Sequence, residues 1–333
     1  MSPPVPASPA PVADFFRRRE TWRWYDALLW IAVIACAIAF PGNRVLITQI
    51  LIAGLFALSL DLILGYGGIV SLGHAAFFGM GAYTAGLLAA NGWHEPITGL
   101  LAAGAAGALL GLLTSVVVVR LRGIALLMVT MGIALVLHEV AQKARGLTGG
   151  DDGLQGIAID PVLGLFRFDL YGRTAFGYTL VAVFVCFWLA RRLVHSPFGL
   201  TLRGLRENGR RLPAIGVSVG RASATVYTIA AALAGVAGGL LTQTTAYVSV
   251  EVLNFERSAE VLIMLILGGA GRLYGGLIGA AAFLVLRDRF ADVSPQYWFF
   301  WIGLILVVVV LFARNGLLGA FDTVLAKTKR RMA

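Results

Sequence analysis

An apolar stretch of the sequence contains a serine and a histidine, which are residue types that can serve as a nucleophile and a general base. Ser71 and His74 lie in "GYGGIVSLGHAAFFGMGAYTAG", residues 65–86, and their spacing of three places both on one face of a predicted helix. A serine hydrolase also needs an oriented base and an oxyanion hole, and the sequence shows no third partner. We therefore expect His74 to bond a neighbouring helix, or Ser71, Gly73, His74 and Tyr83 to contact a passing solute.

The most strongly charged segment is "RGLRENGRRLPAIG", residues 203–216. Its pattern predicts a short helix from Leu200 to Leu212 that Pro213 ends. Its apolar residues form one face that rests on the rest of the protein, so its charged face is free for a partner. The alternative is that the arginines only hold the segment inside the cell and contact anionic lipid.

The sequence lacks the residues that nucleotide and metal sites need. A phosphate-binding P-loop requires a lysine after a glycine, and Lys143, Lys327 and Lys329 all follow other residues. His138 and Glu139 have the character of a hydrated helix end and do not form a metal-binding pattern. We therefore predict no catalytic residues, no metal and no cofactor, and any ATP hydrolysis must occur in other subunits.

The composition is that of a membrane protein. Of the 333 residues, 59% are hydrophobic and 13% are charged, whereas ordinary soluble domains contain roughly 25% charged residues. A bilayer needs about 20 apolar residues per helix, so a chain of this length has room for about ten crossings. The net charge of +10 is typical of basic cytoplasmic loops, and we predict no nucleic-acid partner.

The chain is predicted to be an all-α, polytopic membrane helical bundle. The tail 1–26 is expected to be disordered and basic, and a second basic tail spans 314–333. Between them, residues 27–313 are expected to form a transmembrane domain with a cytoplasmic loop at 191–221 and an external loop at 141–174. The expected segments are Ala27–Phe40, Val45–Leu64, Ile69–Ala90, Ile97–Val119, Ile124–Val140, Ala175–Ala190, Ala222–Leu241, Ala259–Ala270, Gly275–Leu286 and Tyr297–Ala313.

The distribution of charge predicts the orientation. With ten crossings and a cytoplasmic N-terminus, most of the 27 lysines and arginines fall on the cytoplasmic side and most of the 17 acidic residues on the other. This agrees with the positive-inside rule, so both termini are expected in the cytoplasm. Stretches 65–86 and 267–280 are rich in glycine. Interrupted helices that line a pathway through the membrane often have this composition, so these stretches are candidates for such a lining.

An ion-coupled secondary transporter or channel is one function class that such a membrane protein could have. An ion-coupled secondary transporter or channel would place a functional charge deep in the membrane. We take Asp61 as the only acid inside a proposed span, and it lies near a helix end, where a structural role is favoured over proton relay.

The motifs resemble a known family along nearly the whole chain. "GYGGIVSLGHAAFFGMGAYTAG", "LRGIALLMVTMGIALVLHEV", "LTGGDDGLQGI", "LRGLRENGRRLPAIGVSVGR", "AALAGVAGGL" and "LILGGAGRLYGGLIGA" are similar, in this order, to motifs of the LivM-type permeases of branched-chain amino acid ABC importers. The resemblance implies a multi-pass protein of the bacterial inner membrane that forms half of a translocation path.

The resemblance also implies partners and a coupling site. The partners are a second, unlike permease subunit, two cytoplasmic ABC ATPases, a periplasmic or lipid-anchored solute-binding protein, and membrane lipid. The implied coupling residues are Arg203, Arg206, Glu207, Asn208, Arg210, Arg211, Pro213 and Gly216. The solute stays open between a branched-chain amino acid, urea, a short amide and an aromatic acid.

Overall fold

The chain folds as a bundle of α-helices. A computed structural model describes residues 24–162, 164–166 and 172–293, with isolated positions between 300 and 319. The helices, in chain order, are α1 (Trp24–Ala39), α2 (Arg44–Asp61), α3 (Ala75–Ala90), α4 (Pro96–Val118), α5 (Ile124–Lys143), α6 (Arg145–Thr148), α7 (Arg173–His195), α8 (Pro197–Asn208), α9 (Val219–Thr245), α10 (Phe255–Gly268) and α11 (Gly275–Val293). These described residues contain no β-strand and two isolated β-bridges, so the predicted all-α fold is confirmed for them.

Five helical stretches in the described ranges are long and apolar enough to cross a bilayer. They are Pro41–Tyr66, Pro96–Val118, Ile124–Lys143, Arg173–His195 and Val219–Thr245. Two shorter apolar helices, Ala27–Ala39 and Ala75–Ala90, lie beside them. The chain is therefore a multi-pass membrane protein.

The first nine predicted segments each overlap a different helix, in order α1, α2, α3, α4, α5, α7, α9, α10 and α11. The tenth, Tyr297–Ala313, lies mostly outside the described residues, as do most of the two predicted tails. The N-terminal boundary differs slightly from the prediction, since α1 already begins at Trp24.

Glycines allow α9 to pack closely against α3 and α4 at the centre of the bundle. A Cβ atom added at Gly238 would overlap the carbonyl oxygen of Phe78 on α3. One added at Gly235 would lie 2.5 Å from the carbonyl oxygen of Ala103 on α4. Small residues at a helix interface are the usual means of such backbone approach between membrane helices. The "AGVAGGL" motif thus sets the spacing of three helices.

We expect Gly238→Ala to lower the stability of the fold. The methyl group meets the backbone of α3, which cannot move aside as a side chain can, and overpacking of this kind costs about 1–3 kcal/mol. A lower midpoint of thermal unfolding in detergent would show it. The matched control is Gly132→Ala on α5, where an added Cβ has open space. This control should keep the wild-type midpoint, and equal midpoints for both variants would contradict the packing argument.

Helical structure is interrupted at two places, and both lie in the glycine-rich stretches that were predicted to interrupt helices. After α2 a single π-helical turn spans Leu62–Tyr66, and the backbone then stays irregular until α3. The second break separates α10 from α11, with Gly269 at φ 108° and Gly271 at φ 82°. Both values lie in the region that glycine adopts readily. We call these segments break 1 (residues 67–74) and break 2 (residues 269–274).

The charged segment forms a helix whose bounds differ from the prediction. Helix α8 begins at Pro197, which suits the first helical position because its missing N–H has no partner there in any case. It ends at Asn208, and Pro213 lies in a separate 3-10 helix, Leu212–Ile215. The prediction that Pro213 ends the helix is wrong. The predicted loop 191–221 also begins inside α7, which continues to His195.

The predicted external loop, residues 141–174, is attached to the bundle at two points. The backbone N–H of Leu154 donates to the carbonyl oxygen of Val248 at 2.8 Å. The backbone N–H of Asp160 donates to the carbonyl oxygen of His94 at 3.0 Å. Helix α5 extends into the predicted loop as far as Lys143.

The two ends of the bundle differ in their polar contacts. At one end, α8 meets both breaks, and we call it the α8 end. At the other, the Tyr178 hydroxyl donates to Gln243 Oε1 at 2.8 Å, and Gln243 Nε2 donates to the carbonyl oxygen of Pro96 at 2.7 Å. We call this the distal end, and these bonds connect α7, α9 and the start of α4 there.

Candidate functional site

Helix α8 lies on the bundle through one apolar face. Leu202 is fully buried and Leu212, just after the helix, is 6% exposed. Arg206, Glu207, Asn208, Arg210 and Arg211 are exposed, as are Pro213 and Gly216, whereas Arg203 is half-buried. The predicted amphipathic arrangement is confirmed, and most of the predicted coupling residues are accessible.

Arg206 connects α8 to both breaks. Its guanidinium Nη1 donates a hydrogen bond to the carbonyl oxygen of Gly65, at the end of the π-helical turn. An added Cβ at Gly68 would lie 3.1 Å from Arg206 Cα, and one at Gly271 would lie 2.8 Å from Arg206 Nη1. Because glycine leaves this space free, the α8 backbone approaches break 1 and the guanidinium reaches break 2.

Asp61, the last residue of α2, connects that helix to break 2. It is fully buried, and its Oδ1 accepts a hydrogen bond from the backbone N–H of Gly271 at 2.7 Å. Its Oδ2 has no hydrogen-bond partner within the described part of the chain. The positive charge of Arg206 also acts on this carboxylate. Asp61 therefore has a backbone partner within the protein.

We call Asp61, Gly65, Arg206 and Gly271 the hinge cluster. It joins three segments that are far apart in sequence: the end of α2, break 2 and α8. A buried carboxylate is costly unless it is paired and hydrogen-bonded. The Gly271 N–H supplies the hydrogen bond to Asp61, and Arg206 bonds Gly65, so the cluster connects α8 with the end of α2 and with break 2.

Ser71 and His74 do not share a helical face, contrary to the prediction. Both lie in break 1, and α3 begins only at Ala75. Gly73 is pressed against α5, where an added Cβ would overlap the carbonyl oxygen of Thr130. The backbone N–H of Leu72 donates to Thr130 Oγ1 at 3.2 Å. Close backbone contact with α5 replaces the helical turn expected here.

The hydrogen bonds of His74 indicate a packing contact. The hydroxyl of Ser59 on α2 donates to the carbonyl oxygen of Phe56 at 2.6 Å, and Ser59 Oγ lies 2.8 Å from His74 Nε2. Since the hydroxyl proton is already donated, Nε2–H is the donor to Ser59. A general base must accept a proton from its nucleophile, and no hydrogen bond joins His74 to Ser71 in the described part of the chain, since His74 Nε2 bonds Ser59 instead. The predicted bond from His74 to a neighbouring helix is thus present.

Tyr83 is separate from this group. It lies on α3, is 6% exposed, and its hydroxyl has no hydrogen-bond partner among the residues described. Ser71 and His74 are also almost completely buried, at 1% and 0% exposure. The structure therefore brings Ser71, Gly73 and His74 together in break 1 and places Tyr83 more than two turns further along the chain.

A charged group inside the bundle was not predicted. Glu260, on α10, lies 3.0 Å from Arg257 Nη1 and 3.8 Å from Arg287 Nη1 on α11. The statement that Asp61 is the only acid inside a predicted span is wrong, because Glu139 and Glu260 fall within predicted spans as well. An acid and an arginine three residues apart in an apolar run were the signal that could have identified the group.

Sequence comparisons give the family. The family described as "Branched-chain amino acid transport system / permease component" matches residues 45–310. The chain is 30% identical to the high-affinity branched-chain amino acid transport system permease protein LivM of Escherichia coli K12, over 324 residues covering 87% of this chain and 74% of that protein. The LivM protein of Salmonella typhimurium matches with the same identity and coverage.

A more distant relative matches only in part. The ribose import permease protein RbsC of Bacillus subtilis is 29% identical over 176 residues, which cover 47% of this chain and 53% of that protein. No solved structure matches the chain significantly. The family match includes both breaks, the hinge cluster and α8. The chain belongs to the family of branched-chain amino acid transport system permease components.

Proposed function

We propose that the chain is a permease subunit of an ATP-driven ABC importer for branched-chain amino acids, in the inner membrane of a bacterium. In this proposal it forms half of the translocation path beside a second, unlike permease subunit. Two cytoplasmic ABC ATPases supply the energy, and a periplasmic or lipid-anchored binding protein delivers the solute. The LivM relatives, which are named as branched-chain amino acid permeases, support this assignment.

The observation that carries the proposal is the contact between α8 and the hinge cluster. Helix α8 presents exposed charged residues on one side, and on the other side Arg206 bonds Gly65. A helix that is accessible to a partner, bonds the π-helical turn through Arg206 and lies close to both breaks has the arrangement needed to transmit movement. We assign residues 203–216 to ATPase docking, with Arg206 as the residue that passes the movement to the breaks.

Alternating access would follow from rigid-body movement of α8. Closure of the ATPases displaces α8, Arg206 moves Gly65, and Asp61 moves Gly271 through its hydrogen bond. The breaks absorb the change because glycine has low-energy access to many backbone conformations. In this scheme the α8 end is cytoplasmic, as are both termini, in agreement with the positive-inside rule.

We also propose that Ser71, Gly73, His74 and Tyr83 border the path. All four are buried or close-packed in the conformation described, so this conformation corresponds to a closed path at their level. The unpaired Tyr83 hydroxyl supports the assignment, since a buried polar group without a protein partner needs a ligand or water in another state.

Reconstitution tests the proposed function directly. The full complex in vesicles, with the binding protein outside and ATP inside, should accumulate labelled L-leucine only with hydrolysable ATP. An ion-coupled transporter would instead depend on an ion gradient, so a protonophore and a sodium ionophore are added as controls. Uptake that survives without ATP and stops when the gradient collapses would contradict the importer assignment.

A further inference from the structure

Two arginines and one glutamate meet inside the apolar part of the bundle. Glu260 is 17% exposed at its side chain, and Arg257 and Arg287 are 35% exposed. Two guanidinium groups against one carboxylate leave one positive charge in excess. Glu256 and Asp288, the neighbouring acids in sequence, are exposed at the surface.

The group lies beside an open cavity of ≈ 100 Å³. We call it the Glu260 cavity. One water molecule needs about 10–15 Å³ of such space, so the cavity admits several waters or part of a small solute. One end of its lining is polar, with Gln49, Arg257, Glu260 and Arg287. The other is apolar, with residues that include Ile52, Phe56, Phe78, Val261, Met264 and Leu284.

The helix positions set the cavity within the membrane-spanning region. Gln49, Ile52 and Phe56 follow one side of α2, which belongs to the span Pro41–Tyr66. Charged side chains at such depth face a water-filled space or protein and avoid lipid. The opening of the cavity is therefore expected to face water or protein and not lipid.

The two guanidinium groups have positive charge available for a second carboxylate beside that of Glu260. Desolvated charges are costly unless they are neutralised by a nearby opposite charge. Arginine binds a carboxylate through two parallel hydrogen bonds, and Glu260 is placed to accept an ammonium group. The apolar end then receives a short aliphatic side chain. These three requirements together describe an aliphatic α-amino acid.

We propose that the Glu260 cavity binds the transported aliphatic amino acid, with Arg257 and Arg287 on its carboxylate, Glu260 on its ammonium group and the apolar wall on its side chain. This inference rests on the proposed importer function and assigns its solute site to residues other than Ser71 and His74. The two sets are neighbours, since Phe56 stacks on His74 with ring centroids 5.5 Å apart and also lines the cavity.

Uptake kinetics of the assembled complex give the first test. Arg287→Gln removes one carboxylate ligand but leaves the closer pair of Arg257 and Glu260, so folding and co-purification with the ATPases should persist. Loss of a hydrogen bond to a charged group predicts a fall in leucine uptake of about 10- to 100-fold. Arg287→Lys should recover part of it.

Arg289→Gln is the matched control, two positions along α11. Arg289 is exposed and does not line the cavity, so uptake should match wild type. If Arg287→Gln and Arg289→Gln transport equally well, the proposed site is wrong. If Arg287→Gln instead fails to assemble, and a Glu260→Gln/Arg287→Gln pair restores both assembly and uptake, the group is an anchor between α10 and α11, and the proposal is overturned.

Thiol protection measures occupancy without transport. Ala53 lines the cavity, so Ala53→Cys is introduced where Cys36 and Cys186 have been replaced by alanine. L-leucine should slow modification by a small methanethiosulfonate in the full complex. The decarboxylated analogue 3-methylbutylamine should protect at least tenfold less well, and Arg287→Gln should abolish the difference between the two.

The outcomes separate the inference from the importer assignment. ATP-driven leucine uptake by wild type without leucine protection at Ala53→Cys overturns the solute site alone. Protection equal for leucine and 3-methylbutylamine overturns the role of the arginines. Absence of ATP-driven uptake by wild type overturns the importer function itself.

Discussion

Replacing Arg206 and Glu207 together by alanine is expected to abolish solute uptake while the partner ATPases still hydrolyse ATP. Arg206 supplies the bond from α8 to the carbonyl oxygen of Gly65, and Glu207 is an exposed charge on the surface assigned to docking. Without them, ATPase closure no longer moves the breaks. Leucine uptake and phosphate release measured in the same vesicles should show a ratio at least tenfold lower than in wild type.

The matched control for this pair is Arg221→Ala. Arg221 is exposed near the start of α9 and lies outside residues 203–216, so its loss removes a positive charge without touching the hinge cluster. Its ratio of uptake to hydrolysis should equal that of wild type. Unaltered uptake in the Arg206 and Glu207 double variant would contradict the assignment of this segment to coupling.

Asp61→Ala is expected to reduce stability and uptake together. The change leaves the Gly271 N–H without its acceptor, and a donor shielded from water without a partner costs about 1–3 kcal/mol. A clearly lower midpoint of thermal unfolding in detergent should accompany loss of uptake.

Asp61→Asn separates the hydrogen bond from the charge. The amide oxygen can still accept from the Gly271 N–H, so most of the stability should return. The attraction to Arg206 is lost, so uptake should stay well below the wild-type value. An alanine variant with wild-type midpoint and uptake would show that the hinge cluster neither stabilises nor couples.

The helices themselves were accessible from the sequence because apolar runs and glycine breaks are local features. Stretches such as Val45–Leu64 and Ala222–Leu241 correspond to α2 and α9, since nothing but a helix satisfies their backbone in lipid. The prediction from the sequence was wrong for the end of α8, where more than one residue could end the helix. Pro213 is a strong helix terminator in sequence, yet α8 ends four residues before Leu212 begins the next helical turn.

The contacts of the candidate sites depend on tertiary structure. Arg206 bonds a backbone carbonyl, that of Gly65, which carries no sequence signal. Ser71 and His74 have the spacing of residues on one helical face. The close approach of Gly73 to α5 holds this segment in a non-helical conformation instead. Arg257 and Glu260 were visible as neighbours on α10, whereas their contact with Arg287 exists only once α10 and α11 turn back at break 2.

The most direct test of the account is crosslinking from Ala214, an exposed residue of the segment after α8. A photoreactive maleimide on Ala214→Cys, in the full complex without the two native cysteines, should crosslink to an ATPase subunit, and the yield should change with bound ATP. The same reagent on Leu165→Cys, 79% exposed in the predicted external loop, should not crosslink to that subunit. Absence of an ATPase crosslink from Ala214→Cys, or modification of that cysteine only from outside the cell, would contradict the account.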